Sequence, residues 1–271
     1  MDWSQWDAII FDLDGTLYED TDHFAYFSQR LADKLPEANR SAYLEDEAAA
    51  KQGRHVLRMG RVYDRRRDLV VEATPEGRVQ RAWDWQGEEL DERQRRRFYS
   101  DPVAFDMQWM ISIGDHWWIP TACAYHHGVD STYDAYLAAK DYLASDAASL
   151  TPIPGVKEGL AGLRESTQLV VATNSDLADT KRILNHLGLT DIVHAVYPDS
   201  QKPQCSKAVL QRIMAELDLA PQRCLAVGDN YLNDVYPAAQ LGMGTCLIDP
   251  YGLYGSAHAD ILVSSLGSVF R

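Results

Sequence analysis

The chain opens on a short apolar run, Ala8-Ile9-Ile10-Phe11, that breaks at once into Asp12-Leu13-Asp14-Gly15-Thr16. An unbroken apolar run ending in an Asp/Gly-rich turn reads as a strand buried on both faces. The same texture returns after residue 150. Residues 168–172 and 223–227 have the composition of further buried strands, with weaker ones at 192–196, 245–248 and 261–263. Between them, 177–187, 206–217 and 232–241 carry apolar residues at helical spacing. Strands alternating with helices of this length predict an α/β fold: a parallel sheet covered on both faces, with right-handed crossovers and the first strand as a member.

The intervening region is charged, aromatic and mainly helical in period, with helices predicted over 21–35, 41–57, 88–98 and 131–145. Within it, 69–73 and 78–83 flank Thr74-Pro75-Glu76-Gly77 and predict a β-hairpin. The polar junction at Tyr18-Glu19-Asp20 and the Pro/Gly-rich one at 151–155 suit linkers. The expected organisation is therefore an α/β core of residues 1–18 and 150–271, with residues 19–149 inserted after the first strand.

Charge narrows the partners. The 271 residues include 26 Lys+Arg against 40 Asp+Glu, a net −14 that repels nucleic acid and anionic lipid. A phosphorylated small molecule would need local positive charge or a metal ion to be held. Four scattered cysteines without a Cys-x-x-Cys pair argue against a zinc framework or disulfides and favour a reducing compartment. With neither a basic-then-apolar start nor a run of about 18 apolar residues, a soluble cytoplasmic protein is expected.

In open parallel sheets the ligand crevice lies beyond the carboxyl ends of the strands. Asp12 and Asp14 follow the first strand, Thr173-Asn174-Ser175 the second, Lys202-Pro203 lies in a later loop, and Gly228-Asp229 with Asn233-Asp234 follows 223–227. Asp12, Asp229 and Asp234, with backbone oxygen such as the Asp14 carbonyl and water, make an oxygen-only site suited to Mg²⁺. With a cation to relieve anion repulsion, Asp12 can attack phosphorus and form an aspartyl-phosphate. Asp14 can protonate the leaving alcohol and later deprotonate water. Thr173 can donate its hydroxyl to a phosphoryl oxygen, and Lys202 supplies a fixed positive charge. Asn174 could bind phosphate or cap the following helix, and Asp234 could cap its helix instead of serving a metal.

These segments resemble the four motifs of the haloacid dehalogenase (HAD) superfamily: Asp12-Leu13-Asp14-Gly15-Thr16-Leu17 the first, Thr173 the second, Lys202-Pro203 the third and Gly228–Asp234 the fourth. The resemblance implies a Rossmann-like core, Mg²⁺ held by Asp12, the Asp14 carbonyl and Asp229, and a mainly helical C1-type cap, here enlarged. It implies a phosphatase acting on a small phosphate monoester. A phosphomutase would use the same Asp12 and Asp14, and a noncatalytic protein-binding module on the same fold is a further alternative. Dehalogenases of the family lack the second aspartate, so Asp14 argues against them. Phosphonate hydrolysis would need a cap lysine, for which Lys34, Lys51 and Lys140 lack a motif.

Blander readings cover the rest of the insert. Trp109, Trp117, Trp118, His126 and His127 read first as packing and only second as a pocket or metal site. Arg65-Arg66-Arg67 and Arg95-Arg96-Arg97 read first as solvated faces paired with acids and only second as facing an anionic substrate. Tyr18, Glu19 and His23 follow the first motif closely enough either to border a pocket or to serve as a hinge or helix start.

Overall fold

The computed structural model describes residues 3–145 and 148–270. It divides into two compact units, Met1–Asp20 with Ala148–Arg271, and Thr21–Ala147. The chain forms β1 (Ala8–Phe11) and then leaves for the second unit.

That unit begins with α1 (Asp22–Lys34) and α2 (Glu37–Lys51). Helix α2 stops short of the predicted residue 57 because Gly53 turns left-handed at φ +69°. Next come β2 (Val62–Asp64), β3 (Leu69–Ala73), β4 (Val79–Trp83), α3 (Glu92–Phe98) and β5 (Met110–Ser112). The predicted hairpin is β3–β4, pairing Val70 with Trp83 and Val71 with Ala82, with an irregularity at Glu72/Ala73. It grows into a four-stranded antiparallel sheet, β4-β3-β2-β5, because β2 pairs with both β3 and β5. Gly77, at φ +85°, is the turn residue that admits the neighbouring chain, since a Cβ there would sit 2.0 Å from the Val103 carbonyl oxygen.

Two later helices, α4 (Trp118–His126) and α5 (Tyr133–Leu143), complete the insert. Helix α4 is absent from the periodicity because residues 119–124 are all buried, so no polar stripe marks its turns. Phe27, Leu31, Tyr43, Ile111 and Cys123 meet in the insert's own core.

On returning, the chain forms α6 (Val156–Leu163), β6 (Gln168–Ala172), α7 (Leu177–His186), β7 (Ala195–Tyr197), α8 (Ser206–Leu217) and β8 (Cys224–Gly228). It ends with α9 (Tyr236–Gln240), β9 (Gly244–Ile248) and β10 (Ile261–Val263). The predicted 232–241 helix is split, with a wide i→i+5 turn over Tyr231–Val235 ahead of α9, where Pro237 lies in the first turn. The strands form one parallel sheet ordered β10-β9-β8-β1-β6-β7. This is the Rossmann-like parallel core, with the cap inserted after its first strand. Chain order reverses at β1, flanked by β6 and β8, so the crevice of this sheet lies at the end of β1.

All four cysteines are free. Among the described residues no helix is long and apolar enough to cross a membrane.

Candidate functional site

Register alone brings three motif segments to one place. Phe11 is level with Val171 of β6 and Val227 of β8, and the next amide, of Asp12, donates to the Val227 carbonyl at 2.9 Å. Asp12, Thr173 and Asp229 therefore leave adjacent strands at the same edge.

Two glycines let the carboxylates close in. Gly15 has φ +73°, and a Cβ on it would lie 2.2 Å from Asp229 Oδ2. A Cβ on Gly228 would lie 2.3 Å from Asp234 Oδ2. The wide turn after β8 folds Asp234 back onto the strand end, its amide donating to the Asn230 carbonyl at 3.0 Å. The Asn230 amide in turn donates to Asp234 Oδ2 at 3.3 Å. Asp234 thus braces its own turn through one oxygen while presenting the other. One oxygen from each of Asp12, Asp229 and Asp234 lies within 4.8 Å of the others.

Lys202 ties two of them together. Its Nζ donates to Asp12 Oδ1 and Asp234 Oδ1, both at 2.6 Å, and to the Ala172 carbonyl at 2.9 Å. The Asp12 carboxyl is raised to about 7, by burial foremost; the Lys202 charge pulls against that rise, while Asp234 and Asp14 contribute to it. Burial also raises Asp234, against the pull of Lys202. For Lys202 burial works the other way, but the two carboxylates outweigh it and hold the ammonium above its ordinary value. These are the marks of a crevice with too much negative charge.

The donor set fits Mg²⁺. Three carboxylates against the one Lys202 ammonium leave an excess of two negative charges if all are ionised, the charge of one divalent cation. The ligand atoms are all oxygen, and the two glycine approaches hold them together.

Asp14 has hydrogen-bond partners of its own. Its Oδ1 accepts from the Tyr18 hydroxyl at 2.5 Å and its Oδ2 from Ser175 Oγ at 3.3 Å. Tyr18 is buried, and burial foremost, then the Asp14 charge, holds its hydroxyl well above the ordinary tyrosine value, so it remains a donor. Thr173 is buried, its Oγ1 accepting from the Ser175 amide at 3.1 Å. Asn174 does not cap a helix: Asp176 caps α7, accepting from the Asp179 amide. The Asn174 side chain instead clamps the Lys202 backbone, accepting from its amide at 2.7 Å and donating to its carbonyl at 3.0 Å. Tyr18 and Ser175 as partners of Asp14, and Asn174 as a clamp, were not readable from spacing. Their only signal was adjacency to a motif residue.

Elsewhere, Glu19 is exposed, and His23 is buried in the insert against Phe24 and Trp117. Trp117 and Trp118 pack on the insert's core. Trp109 lies under Arg65 and Arg66, Arg67 pairs with Asp64, Arg95 donates to the Val79 carbonyl and Arg96 pairs with Glu92. His126 and His127 do more than pack: they contact Asp68 and Asp46.

Comparison with known proteins agrees with this geometry. The family model of haloacid dehalogenase-like hydrolases matches residues 6–242. A ribulose-1,5-bisphosphate 5-phosphatase of Halopiger xanaduensis is 28% identical over 128 residues, 46% of this chain and 54% of that protein. The chain thus matches about half the length of that relative. Among solved structures, the magnesium-bound HAD-type protein YfnB of Bacillus subtilis superposes with TM-score 0.55 at 12% identity, covering 98% of this chain and 97% of that one. A haloacid dehalogenase-like family protein of Streptococcus pneumoniae gives 0.53 at 15% identity, covering 98% and 97%. At such identities the structures speak for the fold, while the family model spans most of the chain. The protein belongs to the haloacid dehalogenase-like hydrolases.

Proposed function

We propose that this hydrolase is a Mg²⁺-dependent phosphatase that cleaves a small phosphate monoester through an aspartyl-phosphate on Asp12. The observation that carries the reading is the convergence of Asp12, Asp229 and Asp234 within 4.8 Å, with Lys202 bridging Asp12 and Asp234. Mg²⁺, held by those carboxylates and the Asp14 carbonyl, would supply charge neutralisation for an incoming phosphoryl group.

The chain's own groups do the rest. A carboxylate oxygen of Asp12 forms a bond to phosphorus as the ester oxygen leaves, and Asp14 gives that oxygen its proton. Asp14, now a carboxylate, takes a proton from water, which attacks phosphorus, breaks the bond to Asp12 and releases inorganic phosphate. Tyr18 and Ser175 fix the Asp14 carboxyl from both oxygens. Thr173, whose oxygen already accepts from the Ser175 amide, directs its proton toward the phosphoryl group. Asn174 acts at one remove, by holding Lys202 in place.

The insert of residues 19–149 is the part proposed to select the substrate. The partial match to a sugar-bisphosphate phosphatase favours phosphorylated sugars as the class to try first. The test is phosphate release from a panel of sugar phosphates, nucleotides and phosphorylated acids, with and without Mg²⁺, using Asp12→Asn as the blank. Mg²⁺-dependent release that vanishes in Asp12→Asn is expected. Release unaffected by that substitution would overturn the assignment, and isomerised product without free phosphate would make the enzyme a mutase.

A further inference from the structure

A second group of metal-type donors lies wholly inside the insert, apart from the carboxylate crevice. His126 and His127 are at the C-terminal end of α4, and Asp46 projects from α2. One ring nitrogen of each histidine and one Asp46 oxygen lie within 4.8 Å of one another. The side chains are partly covered, 18% exposed for His126, 12% for His127 and 28% for Asp46, so an ion could enter.

The surroundings orient these groups as ligands. His126 gives Nδ1 to Asp68, 2.8 and 2.9 Å from its two oxygens. A histidine whose Nδ1 is hydrogen-bonded to a carboxylate keeps its lone pair on Nε2, the arrangement found behind metal-bound imidazoles. Asp68 is itself held in place, its Oδ1 also accepting from the Tyr63 hydroxyl at 2.7 Å. Trp85 fixes the remaining freedom: its ring stacks on His126 with centroids 3.9 Å apart and planes 7° apart, and its Nε1 donates to Asp46 Oδ2 at 2.8 Å.

We propose that Asp46, His126 and His127 form a binding site for a borderline divalent cation of the zinc type, with Asp68 as the carboxylate behind His126. Charge favours it: two neutral imidazoles and two carboxylates sum to the charge a dication cancels, and neither carboxylate is ion-paired to lysine or arginine among the described residues. Two imidazoles and a carboxylate suit zinc better than Mg²⁺. His127 Nε2 and Asp46 Oδ2 are now 2.8 Å apart and hydrogen-bonded. Ligands of one tetrahedral zinc stand about 3.4 Å apart, so the pair has to open by roughly half an ångström and His127 has to release its Nε2 proton. The ion would join the end of α4 to α2, and through Asp68 to the β2–β3 turn.

The test uses the full chain carrying Asp12→Asn and Asp229→Asn, which disables the carboxylate crevice, titrated with Zn²⁺ against a chelator and with Co²⁺ in the visible range. One equivalent of zinc is expected, with the intense bands of four-coordinate cobalt. Affinity should fall about 100-fold in His126→Gln and His127→Gln, and about 10- to 100-fold in Asp68→Asn. Lack of stoichiometric zinc binding, or binding that survives the double His126→Gln/His127→Gln substitution in folded protein, would overturn the site. Should those variants fail to fold, the cobalt spectrum of the parent decides: four-coordinate bands support the site and their absence rejects it.

Discussion

Protons and Mg²⁺ should compete for Asp12, and the competition has a calculable size. Burial lifts the metal-free Asp12 carboxyl to about 7 from the ordinary 3.8, with Lys202 already pulling it down. A cation needs the carboxylate, so binding expels whatever proton is there, and affinity must rise with pH. For a group titrating near 7, roughly nine-tenths is ionised at pH 8, half at pH 7 and a tenth at pH 6. Apparent Mg²⁺ affinity should therefore fall about tenfold between pH 8 and pH 6, equivalent to about 1.4 kcal/mol. Asp234 is raised in the same direction and can only steepen the slope. Calorimetric titration of the substrate-free protein with Mg²⁺ at those values reads the effect, and two buffers of different ionisation heat read the released proton. An affinity unchanged from pH 8 to pH 6 would refute the reasoning, because an ordinary aspartate, titrating near 4, stays ionised across that window.

Lys202→Met removes the one ammonium bridging Asp12 and Asp234 and leaves both carboxylates without it, so thermal unfolding should show a loss of about 3–5 kcal/mol, partly restored by lowering the pH. Gly15→Ala places a methyl group 2.2 Å from Asp229 Oδ2 at a left-handed φ; Mg²⁺ affinity measured by titration should drop at least about tenfold, and wild-type affinity would contradict the packing. Tyr18→Phe takes one hydrogen bond from Asp14, so kcat should fall about 10- to 100-fold with little change in KM, and an unaltered kcat would exclude Tyr18 from positioning Asp14.

The parallel core was legible because its strands are short apolar runs with chemistry at their ends: Asp12, Thr173 and Asp229 each follow a strand whose texture changes abruptly. Helix α8 was read from residue 206 to 217 because its apolar spacing faces one side only. Helix α4 escaped for the opposite reason, being apolar on all sides. Strands β2 and β5 are each three residues long, too short for alternation to register, so a four-stranded sheet was legible only as the β3–β4 hairpin at one of its edges. At the site, residue types gave the carboxylates and Lys202, whereas the hydrogen bonds from Tyr18 and Ser175 to Asp14 and the Asn174 clamp depend on how loops fold against each other. The His126–Asp68 contact joins residues 58 positions apart, beyond the reach of any local pattern.

The most direct test of the account is to trap the covalent step. Once a substrate is found, acid-quenched turnover followed by mass spectrometry should show the peptide containing Asp12 heavier by one phosphoryl group, in a linkage labile to hydroxylamine, and nothing of the kind in Asp12→Asn. A phosphoryl group on another residue, or multiple turnovers with none trapped on Asp12 at any quench time, would contradict Asp12 as the nucleophile.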